Sequence, residues 1–163
     1  MASAFTTLGA SRMLSVFCNT GAVTAKSFYL MLLKEGWMNK VSTPRTHTLA
    51  PAASTTDTEW TYYEPTFTGY GSSRKQVTSF TTPTNDVTVE ALKNDSAITW
   101  TTSAVTSTVM ISGAALVDQA LVASGSPAAN VFAFTTFDMS VAMGGSIGQT
   151  LTLPANSFFM QLG

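Results

Sequence analysis

From Gln76 to the C-terminus, apolar and polar residues alternate with a period of two. Because successive side chains of a strand point to opposite faces, this period is typical of strands with one buried and one exposed face. Threonine, which suits the exposed face, flanks nearly every segment. The alternating apolar positions are Val77, Val87 and Val89, Ile98 and Trp100, Val109 and Ile111, Phe132 and Phe134, Val141 and Met143, Leu151 and Leu153, and Phe158, Met160 and Leu162.

Turn-forming residues separate these segments. Proline, glycine, asparagine and aspartate recur at positions 83–86, 94–95, 125–127, 144–145 and 154–156. Several short strands with regular turns between them predict an all-β fold, either an antiparallel β-sandwich or a jelly-roll-like barrel.

Two segments leave the choice between strand and helix open. Residues 28–33 form a continuous apolar run that fits a strand buried on both faces or a short buried helix. The strand is favoured because the run is short and Lys34-Glu35-Gly36 ends it abruptly, and Trp37 is expected to pack at this exit. Residues 113–123 fit a short helix, although residues 109–117 also fit a strand of small residues packed against a close neighbour.

The chain length of 163 residues fits one domain with a core of its own. Residues 1–12 are small and polar and predict an extended N-terminal arm, followed by a single β-sandwich domain over residues 13–163. Because free termini of this composition are usually disordered, we expect a neighbouring subunit to hold the arm. Pro44 and Pro51 exclude a regular element over residues 41–58, which predicts a long loop.

The chain is unusually poor in charge. Charged residues make up 10% of it, against roughly 25% in a typical soluble domain. After Lys93 the only ionisable side chains are Asp95, Asp118 and Asp138, whereas 45 of the 163 residues are serine or threonine. This composition suits a component of an assembly better than a freely diffusing enzyme.

Charge and hydropathy also bear on the partners. A net charge of -1 gives no electrostatic reason to expect nucleic acid, which needs clustered Lys and Arg. The N-terminus lacks the pattern of a signal peptide, and the longest apolar run is too short to cross a bilayer. We therefore expect no membrane partner.

Few residues of this chain support chemistry at a site. Cys18 and His47 are the single cysteine and the single histidine, so the sequence predicts no internal disulfide, no zinc site and no cofactor. His47 lies in a flexible-looking segment, which argues against a Ser-His-Asp arrangement. Glu59 and Glu64 are the closest pair of carboxylates for cleaving a polysaccharide, but the favoured interpretation is two solvated charges at a rim.

Aromatic residues concentrate in the segment from Glu59 to Tyr70. Side chains with one apolar and one polar end are enriched at interfaces, although an edge of the core explains the same residues equally well. The candidate contact residues are Arg12 in the arm, Trp37, Trp60, Tyr62, Tyr63, Phe67 and Tyr70, with Phe158, Phe159 and Met160 as second choices.

The order of four segments resembles a family of small tailed-bacteriophage virion proteins, described as head-decoration, head-fibre or tail-associated. The matching segments are the apolar run 28–33, Gly69-Tyr-Gly-Ser-Ser-Arg74, Ala97-Ile-Thr-Trp100 and the closing hairpin Gly148-Gln-Thr-Leu-Thr-Leu-Pro-Ala-Asn-Ser-Phe158. The chain departs from the family in its long 41–58 loop and in Gln149, where family members tend to have Asp. The resemblance implies a structural role in a virion and no catalytic residues.

Composition and resemblance together predict a non-enzymatic capsid cement or decoration protein, located in the virion after assembly in the host cytoplasm. It would bury apolar surface against the major capsid protein, and closed symmetry favours a homotrimer. The alternative is a tail- or fibre-associated module that contacts a baseplate neighbour or a host-surface glycan. A third class, a small polysaccharide-cleaving enzyme, would depend on Glu59 or Glu64.

Overall fold

The computed structural model describes residues 2–5, 28–37, 63–70, 74–77, 80–81, 91–117, 131–155, 157 and 159–161. The described elements are β-strands, with no helix among them. Every strand pairing is antiparallel, which confirms the prediction of an all-β antiparallel fold. The strands are β1 (Ala2–Phe5), β2 (Phe28–Lys34), β3 (Lys75–Val77), β4 (Phe80–Thr81), β5 (Ala91–Asn94), β6 (Ile98–Thr101), β7 (Val109–Val117), β8 (Val131–Met143), β9 (Thr150–Leu153) and β10 (Phe159–Gln161).

The strands form three sheets. The largest has the order β1-β8-β7-β2-β3, a second has the order β10-β5-β4, and β6 pairs with β9 in the third. Most neighbours in the large sheet are distant in sequence, so the sheet is assembled from both ends of the chain.

The centre of the large sheet is buried on both faces. Leu30, Met31, Leu32 and Leu33 of β2 have no exposed surface. Two faces of one strand can be buried only if other parts of the protein cover both sides of the sheet. The apolar run 28–33 is therefore a strand, as the sequence favoured.

One face of the large sheet packs against the β6–β9 pair. Leu30 and Leu32 from β2 share a hydrophobic cluster with Trp100 of β6 and with Leu151 and Leu153 of β9. The alternation predicted for these two short strands is confirmed, because Ile98 and Trp100 are buried while Thr99 and Thr101 are exposed. The principal core thus lies between the large sheet and β6–β9.

The opposite face holds a second cluster around Trp37. The Trp37 ring lies 5.4 Å from that of Phe134 at 75°, and Met31, Leu33 and Ala115 pack in the same cluster. Gly113 makes room for the indole: a Cβ built on Gly113 would lie 2.9 Å from Trp37 Nε1 and 2.6 Å from the Thr135 carbonyl oxygen. Residues 109–117 accordingly form a strand of small residues with close neighbours, one of the two forms that the sequence left open.

The N-terminal segment differs from the expectation of an arm held by a neighbouring subunit. Residues 2–5 form β1, which pairs with β8 of the same chain from Ala2 opposite Thr136 to Phe5 opposite Ala133. Backbone hydrogen bonding to the edge of the large sheet holds this segment within its own chain. Residues 6–27 and the predicted 41–58 loop lie outside the described residues.

Candidate functional site

A buried polar cluster lies beside the large sheet. Arg74, next to the start of β3, donates from Nε to Glu64 Oε1 and from Nη2 to Glu64 Oε2, each over 2.8 Å. The Tyr70 hydroxyl donates to Glu64 Oε1 over 2.5 Å. These are the paired hydrogen bonds that an arginine fork makes with a carboxylate, and they occupy both oxygens of Glu64.

The cluster lies along the edge of β2 beyond its described pairing with β3. Among the described residues, β3 pairs with β2 from Phe28 to Leu30. Beyond that point the Leu32 N–H donates to the Tyr70 hydroxyl over 3.2 Å, and the Lys34 N–H donates to the Tyr63 carbonyl over 2.7 Å. Residues 63–70 thus satisfy donors of an edge that would otherwise invite pairing with another strand.

Burial and charge shift the proton affinities within this cluster. Burial, reinforced by the negative charge of Glu64, raises the pKa of Tyr70 well above its ordinary value of 10.0. Burial alone would lower the pKa of Arg74, but the hydrogen bonds and charge of Glu64 outweigh it and raise that pKa. Tyr70 is therefore neutral and Arg74 charged across the physiological pH range.

The position of Glu64 corrects the prediction of a solvated rim charge. Its side chain is 8% exposed and that of Arg74 only 4%. A carboxylate in such a place needs a cation, and Arg74 supplies it. Arg74 stands in the segment 69–74 that carries part of the family resemblance, but its pairing with Glu64 is not predicted by the sequence, because the spacing of the two residues indicates no contact. Glu59, the other acid of the suggested pair, lies outside the described residues.

Three of the candidate contact aromatics belong to the core. Trp37, Phe67 and Tyr70 are at most 3% exposed, so they offer no surface to a partner chain, and core packing explains them instead. Tyr63 is half-buried beside the Trp37 cluster. Arg12, Trp60, Tyr62 and Phe158 lie outside the described residues, and the side chains of Phe159 and Met160 are not described.

Three loops join into a rim at one end of the principal core. We call the segments 67–70, 101–108 and 144–149 the loop rim. The Ser103 N–H donates to the Thr68 carbonyl, and the Thr106 N–H donates to the Gly144 carbonyl, over 3.0 and 2.9 Å. Gly69, with φ of 109°, passes so close to the Thr101 carbonyl oxygen that any Cβ would collide with it.

Thr102 connects two of these loops. It is 1% exposed, and its hydroxyl donates to the Ser146 carbonyl over 2.6 Å and accepts from the Gln149 N–H over 2.9 Å. Its backbone N–H and carbonyl bond to Gln149 and Gly148. A threonine with this many partners fixes the two loops relative to each other.

The loop rim carries exposed aliphatic side chains and no charge. Val105 is 65% exposed and Ile147 is 67% exposed, one on each of the joined loops. None of the residues 67–70, 101–108 and 144–149 is ionisable except the buried Tyr70, and serine and threonine provide much of the remaining polar surface. Neither aliphatic residue stands out in the sequence, since isolated apolar residues in turns carry no signal of their own.

A second site with an exposed apolar side chain, Met139, lies on β8. The pairing of β7 with β8 passes from Ile111 opposite Val141 to Gly113 opposite Thr136, so β8 contains extra residues that bulge out of the ladder. Met139 in this bulge is 81% exposed. The bulge is anchored by Ser140, whose hydroxyl donates to Glu35 over 3.3 Å.

Among the described residues, no group of three or more His, Cys, Asp or Glu side chains is placed to hold a metal ion. Within the same part of the chain, no helix has the length and hydropathy to cross a membrane.

Comparison with models of known protein families, with curated proteins and with solved structures finds no match to this chain.

Proposed function

We propose that this chain is a non-enzymatic structural protein of a bacteriophage virion, and that it binds the capsid surface as a cement or decoration protein. The observation that carries the proposal is the loop rim, where Val105 and Ile147 protrude from a surface without charge. Isolated exposed aliphatic side chains are common on soluble proteins. A surface region without charged residues around them is uncommon, because charge keeps neighbouring molecules apart.

The hydroxyl-rich, charge-poor surface supports contact with other proteins rather than with nucleic acid. Removing water from an uncharged surface costs less free energy than removing it from an ionised group, which costs several kcal/mol to bury unless it is paired. A protein that covers much of its surface with neighbours benefits from this composition. The two exposed aliphatics form only a small contact, so the attachment depends on many copies acting together.

The rigidity of the loop rim supports the same role. Thr102 and the backbone bonds to Thr68 and Gly144 fix the loops, so little conformational entropy is lost when a partner binds. The fold we propose for the whole chain is a β-sandwich of the jelly-roll-like kind, in which the large sheet and β6–β9 form the two layers. The homotrimer, the major capsid protein as partner and the virion location are parts of the same proposal.

Immunogold electron microscopy of purified particles tests the location. Label over the head is expected for a cement protein. Label confined to the tail would favour the alternative, a tail- or fibre-associated module, and absence of label from particles would refute both.

A pair of variants tests the contact surface. Replacing Val105 and Ile147 by Asp introduces two charges on the loop rim, and we expect binding of the purified protein to particles that lack it to fall at least about tenfold, since burying one unpaired charge costs more than 1.4 kcal/mol. The matched control places two aspartates at Gln76 and Thr99, which are exposed outside the rim. Equal binding by the two variants would refute the rim as the contact.

A further inference from the structure

β6 and β9 form a sheet of two strands, so each strand has an outer edge that its partner does not occupy. In an antiparallel pair, residues that hydrogen-bond to the partner alternate with residues whose backbone N–H and C=O groups point away from it. The pattern of bonds between β6 and β9 therefore determines which residues of β9 offer their backbone to a further strand.

A hydrogen bond next to the ladder fixes this pattern. The Thr102 N–H donates to the Gln149 carbonyl over 2.9 Å, and these two residues continue the β6–β9 register by one step. Because bonded pairs alternate with non-bonded pairs, Leu151 of β9 bonds to β6, whereas its two neighbours do not. Thr150 and Thr152 consequently direct their backbone N–H and C=O groups to the outer edge.

The side chains agree with this assignment. Thr99 Oγ1 and Thr152 Oγ1 are 2.9 Å apart, and opposite side chains lie closer in a non-bonded pair than in a bonded one. Thr150 and Thr152 are both exposed, and no hydrogen bond within the described part of the chain occupies their outward backbone groups. The outer edge of β9 thus presents two donors and two acceptors.

The outer edge of β6, in contrast, is covered by residues 67–70. Gly69 passes so close to the Thr101 carbonyl oxygen that a Cβ would collide with it, and the Ser103 N–H donates to the Thr68 carbonyl over 3.0 Å. A strand added to β6 would displace this segment. Pairing at the edge of β9 therefore ends with two strand pairs and does not continue into a fibre.

β9 lacks the devices that keep edge strands apart. Natural proteins protect such edges with charged residues, proline or a bulge. No ionisable residue follows Asp138, Thr150–Leu153 contains no proline, and the register of β9 with β6 has no shift. β3, an edge strand of the large sheet, begins instead with Lys75. Nothing in the sequence of β9 opposes pairing with a strand of the same kind.

We propose that β9 pairs with β9 of a second copy across a two-fold axis at Leu151, which joins the two pairs into one four-stranded sheet. The sequence Thr150-Leu151-Thr152 is the same in both directions, so the axis places Thr150 of each copy opposite Thr152 of the other. Every outward N–H then meets an outward C=O, which gives four hydrogen bonds, two donated by each copy. A second copy is the occupant because this symmetry satisfies all the outward groups at once. The inference concerns the isolated protein and goes beyond attachment to a virion.

Disulfide trapping tests the pairing and its register. In a Cys18→Ser background, one chain carries Thr150→Cys and an isotope-labelled chain carries Thr152→Cys. Opposite residues have Cα atoms about 5.5 Å apart, which a disulfide spans, whereas two copies of one position lie diagonally, roughly 7–8 Å apart. In a thiol redox buffer, intact mass should show at least about ten times more mixed disulfide than either self-disulfide.

The matched control combines Thr99→Cys and Thr101→Cys, which are exposed and equally spaced on β6. Random collision of equal amounts of two chains gives as much mixed disulfide as the two self-disulfides together, and the control should show this ratio. The same ratio for the β9 pair would overturn the proposal. An excess of either self-disulfide, or an equal excess of mixed disulfide in the control, would also overturn it.

Sedimentation velocity over a range of concentrations gives an independent measurement. Thr152→Pro removes an outward N–H that the β6–β9 ladder does not use, a position at which an edge strand tolerates proline. Because each copy loses one intermolecular bond, self-association should weaken at least about fivefold, whereas Thr99→Pro on the covered edge should leave it unchanged. A wild-type chain that remains monomeric, or one that associates no more strongly than Thr152→Pro, would refute pairing through β9.

Discussion

Replacement of Arg74 by Met is expected to destabilise the fold strongly. The change keeps a long side chain but removes the cation that pairs with Glu64 through two hydrogen bonds of 2.8 Å. Since the two side chains are only 4% and 8% exposed, water cannot solvate the remaining carboxylate. Breaking one side of such a buried pair typically costs about 3–5 kcal/mol.

A double variant separates the charge effect from lost packing. Glu64→Gln together with Arg74→Met leaves no buried charge and keeps a side-chain oxygen for the Tyr70 hydroxyl. We expect this double variant to be more stable than Arg74→Met alone, because an unpaired buried charge is worse than no charge. The control Lys75→Met removes a neighbouring, less buried cation and should change stability by no more than about 1 kcal/mol.

Urea unfolding of the four proteins measures these differences, since urea, unlike guanidinium, does not screen charges. The midpoint and slope of each curve give the free energy of unfolding. The reasoning would be refuted if Arg74→Met and Lys75→Met lost the same stability, or if the double variant were less stable than Arg74→Met alone.

Three further predictions concern single residues. Burial raises the pKa of Tyr70 above 10.0, so the stability that the neutral hydroxyl contributes is complete below pH 10 and declines as the pH rises toward the folded-state pKa. In urea unfolding, the stability advantage of wild type over Tyr70→Phe should fall by up to about 1.4 kcal/mol per pH unit above pH 10. A constant advantage from pH 9 to 11 would contradict this. Gly113→Ala should cost about 1–3 kcal/mol in thermal unfolding, because the added methyl group meets Trp37 and the Thr135 carbonyl, and no loss relative to the neighbouring Ser112→Ala would contradict the packing. Thr102→Val should cost about 1–3 kcal/mol and speed amide hydrogen exchange in residues 144–149, whereas Thr99→Val, on the exposed face of β6, should do neither.

Alternation of apolar and polar residues was sufficient to predict much of the fold. The period of two correctly indicates which positions of β6 and β9 are buried, because a strand with one solvent-exposed face alternates apolar and polar residues. These positions are Ile98, Trp100, Leu151 and Leu153. The strand at residues 28–33 was also favoured correctly. For residues 109–117 the sequence left two forms open, since small apolar residues suit a crowded strand as well as a helix.

The sequence could not distinguish aromatic residues in the core from aromatic residues at a surface. Trp37, Phe67 and Tyr70 are buried because β2, β7 and the loops pack around them. Composition alone does not show which elements pack together. The same holds for Glu64: its charge predicted exposure, but Arg74, ten residues later, makes burial possible.

Residue types and their local spacing were enough to indicate an all-β fold, low charge and an abundance of hydroxyl groups. The long-range contacts came from the folded chain: Val105 and Ile147 lie on loops joined by hydrogen bonds, Glu64 pairs with Arg74, and β1 pairs with β8. Each of these features joins residues that chain folding brings together. Local periodicity reports which side of an element is buried, but it does not report what the buried or exposed side faces.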